Sequence, residues 1–179
     1  MITGKGEIAE LLQSKWFSVT PFFTTFAAGV GSHETKNSEF EREELLLLNQ
    51  NYDSHLIYFS TLAIYYPGKL SPFATHKLAM EEKIKKLWKK YTIIRLGDLT
   101  WSKKPTSLLN DIRHRLSNNL AIECKDEYRY LTTKEDLLLW LVNFRQGERD
   151  TINVPSKAMK IVDIIEMVKA ETPLYKGGK

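Results

Sequence analysis

Ser60 and Thr61 close the stretch "HLIYFST", and Lys77 follows Thr61 by 16 positions inside "FATHKLAMEE". A hydroxyl at the end of a strand can hydrogen-bond a substrate oxygen. A lysine one turn into the next helix can face the same cleft, lower a neighbouring pKa and hold a ribose hydroxyl. The plain alternative for Lys77 is a solvated helix lysine. Two glycine-bearing stretches stand upstream. "TGKGEIAELL" sets Gly4 and Gly6 between a short apolar start and a helix. Glycines there let a backbone approach a pyrophosphate, and the helix N-terminus supplies free N–H groups. The stretch is shorter than G-x-G-x-x-G, with Ala9 in the third-glycine place, so an ordinary surface turn competes with a phosphate loop. "AAGVG", Ala27 to Gly31, ends an apolar run, where small residues leave room for a flat cofactor.

The elements that must position these residues follow from periodicity. Ile8, Leu11 and Leu12 have helical spacing. "FSVTPFFTTF" predicts a strand whose beginning Pro21 blurs. Ser38 with Glu41 has the spacing of a capping box before a helix whose leucines make a buried face. "HLIYFST" is continuously apolar, as strands inside parallel sheets are. Ser71-Pro72 starts a helix, with Glu81–Lys85 and Glu82–Lys86 pairing on its wet side and Ile84, Leu87 and Trp88 on its apolar side. "YTIIRLGDLTW" is a second buried strand and loop. "TSLLNDIRHRL" predicts a helix, and "AIECKDEYRYLT" one strand or a short hairpin. Thr132 with Glu135 caps "KEDLLLWLVNF", which Gly147 ends. "TINVPS" is a last short strand, "KIVDIIEMVKAE" an amphipathic helix closed by Pro173, and 173–179 a loose tail. Strand and helix alternate, which predicts one α/β domain over 1–179: a mostly parallel sheet with helices on both faces.

Composition sets outer bounds. The 179 residues, 42% hydrophobic and 27% charged, suit one globular domain. No apolar run approaches membrane-spanning length, and no secretory signal opens the chain. The single Cys124, a small core filler on this reading, fits a reducing cytoplasm. A net charge of +4 permits nucleotides without demanding them. "KIKKLWKK" reads as the wet face of a helix rather than a nucleic-acid surface. Four scattered histidines without ligand spacing argue against a metal site.

Taken in order, these stretches resemble the extended short-chain dehydrogenase/reductases, the group of nucleotide-sugar epimerases, dehydratases and reductases. "TGKGEIA" stands where that family has its glycine-rich turn, and "FAAGVG" matches the strand end against the cofactor's adenosine half. Asn49 falls near the family's helix asparagine. "YFSTLAIYY" resembles "SS-x-x-VYG", and "FATHKLAMEE" resembles "Y-x-x-x-K-x-x-x-E". "YTIIRLGDLTW" resembles "R-x-x-N-V-Y-G", with Arg95 and Gly97 in register. The resemblance implies a Rossmann-like fold and a nucleotide-sugar substrate with NAD or NADP. It implies Thr61, Tyr65 and Lys77 as catalytic residues, and Gly4, Gly6, Ala28, Gly29, Lys77 and Gly97 as cofactor-binding ones. It also implies a homodimer through helices 38–48 and 74–90.

Three departures qualify it. Gly4 and Gly29 are 25 positions apart, too few for the two strand-helix units the family places after its first helix. No Asp or Glu lies between Glu10 and Glu34 to hold a ribose 2′-hydroxyl. Phe73 occupies the tyrosine's position, four residues before Lys77, and a phenyl ring has no exchangeable proton. Tyr65, Tyr66 and His76 are the nearest stand-ins. Two expectations follow. One is a reduced epimerase/dehydratase acting on a nucleotide-linked sugar. The other is a non-catalytic relative with a nucleotide cleft, serving in binding, regulation or assembly.

Overall fold

The computed structural model describes residues 1–15, 23–31, 36–124, 126–143, 149–154 and 157–171. Pro21, Gly147, Pro173 and the tail 173–179 lie outside the described residues. Five parallel strands form the main sheet: β1 (Ile2–Thr3), β2 (Phe23–Phe26), β3 (His55–Thr61), β4 (Tyr91–Leu96) and β7 (Arg149–Asn153). They lie side by side in the order β1-β2-β3-β4-β7. A smaller sheet of order β5-β6-β8 comprises β5 (Asp98–Leu99), β6 (Tyr128–Thr132) and β8 (Lys157–Lys160), the last pair antiparallel. The helices are α1 (Glu7–Lys15), α2 (Asn37–Leu48), α3 (Pro72–Leu87), α4 (Leu108–Ser117), α5 (Lys134–Val142) and α6 (Ile161–Glu171). This is the predicted α/β, Rossmann-like architecture in reduced form.

The sheet is apolar on both faces because alternate residues of its strands bury in opposite directions. Ile57 and Phe59 of β3, with Ile94 and Leu96 of β4, pack against Leu12 of α1 and Leu137 and Leu141 of α5. Leu56, Tyr58 and Ile93 pack the other way, against Leu47 of α2 and Met80 and Ile84 of α3. Thus α1 and α5 cover one face, and α2 and α3 the other. The steps from β1 to β2 and from β2 to β3 run in the same direction along the sheet, yet their helices lie on opposite faces. The two crossovers therefore have opposite hands, although such crossovers are right-handed in about 98% of cases. The exception is accounted for if β1 and α1 keep their place in a doubly wound sheet whose strands beyond β1 are absent. Helices departing to opposite faces leave a crevice at the carboxyl ends of β1 and β2, where open α/β sheets bind ligands.

Several local expectations are corrected. Glu81 is fully buried rather than on the wet side of α3, where Glu82 pairs instead with Lys85 at 2.7 Å. Leu87 is 42% exposed, while Ile84 and Trp88 are buried. The leucines of α2 divide, Leu47 buried and Leu45 exposed. Thr133 rather than Thr132 caps α5: its hydroxyl accepts the Asp136 N–H at 3.0 Å, and Asp136 accepts the Thr133 N–H at 3.1 Å. Thr132 is committed elsewhere, its hydroxyl accepting the Gly97 N–H at 2.8 Å. At α2 the cap lies at Lys36, whose N–H donates to Glu39, in place of the predicted Ser38–Glu41 box. Cys124 is exposed rather than a core filler. The polar strand β8 has no counterpart in the sequence reading. Ser71 and Pro72 begin α3 as predicted, the Ser71 hydroxyl accepting the Ala74 N–H at 3.2 Å.

Candidate functional site

The carboxyl ends of β1 to β4 open into a cleft of about 460 Å³, within the usual range for small-molecule sites. Gly6, Gly29, Thr61, Phe73, Lys77 and Gly97 line it from the sheet side. Lys104, Arg115 and Arg129 line it from the loop before α4, from α4 and from β6. The parallel register sets Thr61 beside Leu96, so the β3 and β4 ends open together. The Thr61 hydroxyl accepts the Ala63 N–H at 3.0 Å, starting a single 3₁₀ turn over Leu62–Tyr65.

Lys77 belongs to a buried cluster. Ala74, Lys77, Glu81 and Ile84 form the stripe that α3 turns inward, since positions three and four apart share a helix face. The Lys77 ammonium donates to Glu43 Oε1 at 2.8 Å, to the Tyr58 hydroxyl at 3.2 Å and to the Phe59 carbonyl at 3.5 Å. Glu43, on α2, is fully buried. It also accepts the Val30 N–H at 2.8 Å and the Tyr58 hydroxyl at 2.7 Å, and lies 3.2 Å from His76 Nε2. Burial pushes the Glu43 carboxyl up, but Lys77, His76 and the Val30 N–H outweigh it and hold the pKa down at about 2. Burial pushes the Lys77 ammonium below its ordinary value, with Glu43 pulling back. Glu43 and Tyr58 escaped the sequence reading. One signal existed: Glu43 stands four residues before Leu47, on the face α2 buries.

The glycines have internal reasons for their type. Gly4 has φ +139°, and a Cβ there would sit 2.4 Å from the Ala27 carbonyl oxygen. A Cβ at Gly29 would sit 2.5 Å from Lys77 Nζ, and one at Gly97 2.1 Å from the Tyr130 carbonyl oxygen. Only Gly6, among these four, has open space where a side chain would go. Ala28 packs against the α2–α3 core and is not among the residues lining the cleft.

Tyr65 is half exposed and turned to another group. Its hydroxyl accepts from Arg95 Nη1 at 2.6 Å, and it does not line the cleft. Tyr66 does line the cleft; its hydroxyl donates to Asp98 at 3.1 Å, and Arg129 lies 4.2 Å over its ring. Burial and Asp98 raise the Tyr66 pKa far above the ordinary phenol value. The Phe73 ring lies 6.0 Å from Lys77 Nζ. Among the described residues no group of three or more His, Cys, Asp or Glu could hold a metal ion. None of their helices is long and apolar enough to cross a membrane.

No family model matches the sequence, and neither does any curated protein. Solved structures do match. A Thermus thermophilus UDP-glucose 4-epimerase in complex with NAD aligns with a TM-score of 0.65 at 18% identity, over 91% of this chain and 65% of that one. A Thermotoga maritima UDP-glucose 4-epimerase with UDP-glucose aligns at 0.64 and 14% identity, over 92% and 65%. The Bordetella bronchiseptica enzyme WbmH, in complex with NAD⁺, aligns at 0.66 and 14% identity, over 99% and 67%. The chain therefore shares its fold with these two epimerases and WbmH. The chain spans just under two thirds of the length of the two epimerases.

The residues present do not fit a dinucleotide held in the manner the resemblance implies. The lysine that would grip the ribose has its ammonium bonded to Glu43, Tyr58 and Phe59. Gly4 is packed against Ala27, and β1 is an edge of the main sheet.

Proposed function

We propose that this protein binds a nucleotide-linked ligand, a nucleotide sugar or dinucleotide, in the cleft beyond β1–β4, and does not carry out the hydride-transfer step of epimerases and dehydratases. The observation that carries the reading is Phe73, whose ring lines the cleft 6.0 Å from Lys77 Nζ, where the resemblance implies a phenol. General acid–base catalysis is worth about 10²–10⁴-fold, and a phenyl ring supplies none of it. The nucleotide half of the reading is supported by the matched structures that hold NAD or UDP-glucose. Lys104, Arg115 and Arg129 add cations along one wall. In this reading Gly6, Gly29, Thr61 and Gly97 border the ligand. A homodimer through α2 and α3 would cover Leu45, which is 63% exposed; sedimentation equilibrium tests it.

A second reading keeps an active enzyme with Tyr66 in the tyrosine's role, because Tyr66 lines the cleft. Its raised pKa keeps the phenol protonated at neutral pH. It can donate a hydrogen bond but is a poor base, which makes this the weaker reading.

Thermal-shift titration with NAD⁺, NADH, NADP⁺, NADPH and UDP- and dTDP-sugars tests the proposal, beside a turnover assay. A ligand at about 100 Kd adds roughly 2.7 kcal/mol of stability. A shift without turnover is the expected result. Turnover of UDP-glucose overturns the non-catalytic half, and no shift with any ligand overturns the nucleotide half.

A further inference from the structure

We propose that Glu43 is a fixed internal counter-ion that commits the Lys77 ammonium to the protein interior, so that the cleft takes its ligand without that lysine. This deepens the nucleotide-binding reading and rests on it only for what the ligand is.

An ammonium has three N–H donors and no acceptor. Three acceptors surround Lys77 Nζ, on α2, β3 and the β3 backbone: Glu43, Tyr58 and the Phe59 carbonyl. The side chains of Lys77 and Glu43 are 3% and 0% exposed. Glu43 in turn uses both oxygens, one toward Val30 N–H and His76, the other toward Tyr58 and Lys77. Glycine at position 29 lets the backbone close over the pair, because a Cβ there would lie 2.5 Å from Nζ and 2.8 Å from Glu43 Oε1. For Lys77 to reach a ribose hydroxyl it must leave a charge-assisted bond and take its ammonium away from a fully buried carboxylate. On the open wall Arg115 and Arg129 pair with Asp111 and Glu127 in partly exposed bridges, which cost far less to leave.

The test is lysine acetylation of the full chain with an N-hydroxysuccinimide acetate, read by peptide mass spectrometry. In the wild type Lys77 should react about 50-fold more slowly than Lys103, and Glu43→Gln should speed Lys77 about tenfold. The Lys103 side chain is 76% exposed, which makes it the internal reference. Wild-type Lys77 reacting within about threefold of Lys103 overturns the proposal. A folded Glu43→Gln variant with Lys77 still protected also overturns it. If Glu43→Gln does not fold, Tyr58→Phe decides, since it leaves the ion pair in place. Unchanged protection there supports Glu43 as the anchor, and lost protection refutes it. In a second arm, NADH and UDP-glucose are titrated into the Glu43→Leu/Lys77→Met double variant. Affinity within about threefold of wild type supports the proposal, and a loss of about tenfold, 1.4 kcal/mol, overturns it. If neither compound binds the wild type, the nucleotide reading fails while the acetylation result still decides the role of Glu43.

Discussion

Arg95 on β4 forks onto Glu81 on α3, Nε to Oε1 at 2.9 Å and Nη2 to Oε2 at 2.6 Å, and the Ser60 hydroxyl donates to the same Oε1 at 2.6 Å. The pair ties the helix that carries Lys77 to the two central strands. Removing one partner of a buried pair costs about 3–5 kcal/mol, so Glu81→Ala should fall in that range in urea unfolding. Arg95→Lys keeps the charge and loses the fork, at about 1.5–3 kcal/mol. A Glu81→Ala cost below about 1 kcal/mol would mean the pair behaves like a surface one.

The Glu43 carboxyl, held down at about 2 against an ordinary 4.5, sets an acid limit. A depressed carboxyl contributes stability that is complete above its unfolded pKa and is lost as pH falls through the folded one. The contribution is about 3 kcal/mol, disappearing between about pH 4.5 and 2. Urea unfolding across that window should fall more steeply for wild type than for Glu43→Gln. Parallel slopes would remove Glu43 from the account.

Tyr58 and Tyr66 titrate in the opposite sense. Burial raises both phenols, with Glu43 adding to the first and Asp98 to the second. A raised pKa contributes stability present below the unfolded value near 10 and lost as pH climbs above it. Absorbance titration at alkaline pH should therefore release these two of the eight tyrosines only as the chain unfolds. All eight ionising together while the far-UV spectrum stays native would contradict the buried placement.

The glycines separate packing from ligand access. Gly97→Ala drives a methyl into the Tyr130 carbonyl and should cost about 1–3 kcal/mol or more, as overpacking does. Gly6→Ala meets open space and should change stability by no more than about 0.5 kcal/mol. A lowered ligand affinity in Gly6→Ala would then report the cleft itself.

Phe73→Tyr alone should not confer epimerisation of UDP-glucose. The new phenol would lie near an ammonium already bonded to Glu43, which leaves that lysine poorly placed to lower its pKa. A gain of about 10²-fold over wild type in a coupled assay would refute that.

What the sequence made legible was local. The apolar run of β3, the Ser71-Pro72 start of α3 and the alternation of strands and helices each depend on neighbours a few residues apart. Glu81 shows the limit. Its i+4 neighbour Lys85 predicts a surface pair, while its actual partner Arg95 comes from the next strand. Glu43 likewise meets Lys77 across two elements, and no periodicity connects them. The cap of α5 slipped by one residue because two overlapping motifs compete, and Thr132 is claimed by Gly97. The four residues of β8, Lys157–Lys160, were illegible for the same reason: two lysines around Ala158 and Met159 give little apolar signal, and only pairing with β6 makes them a strand.

The first four strands of the main sheet occupy it in the order in which a ribosome delivers them, β1, β2, β3, β4. Each new strand pairs with the one made just before it, so growth from one edge needs no earlier strand to wait for a distant mate. The fifth place is different. Tyr91 pairs with Arg149, and the smaller sheet's β5 and β6 and two helices emerge between them. Until β7 arrives, the open flank of β4, with Ile93 and Ile94 in its middle, is an unpaired template. The interval between those two strands is the period in which a nascent chain is most exposed to wrong pairing, and the point where a chaperone would matter most.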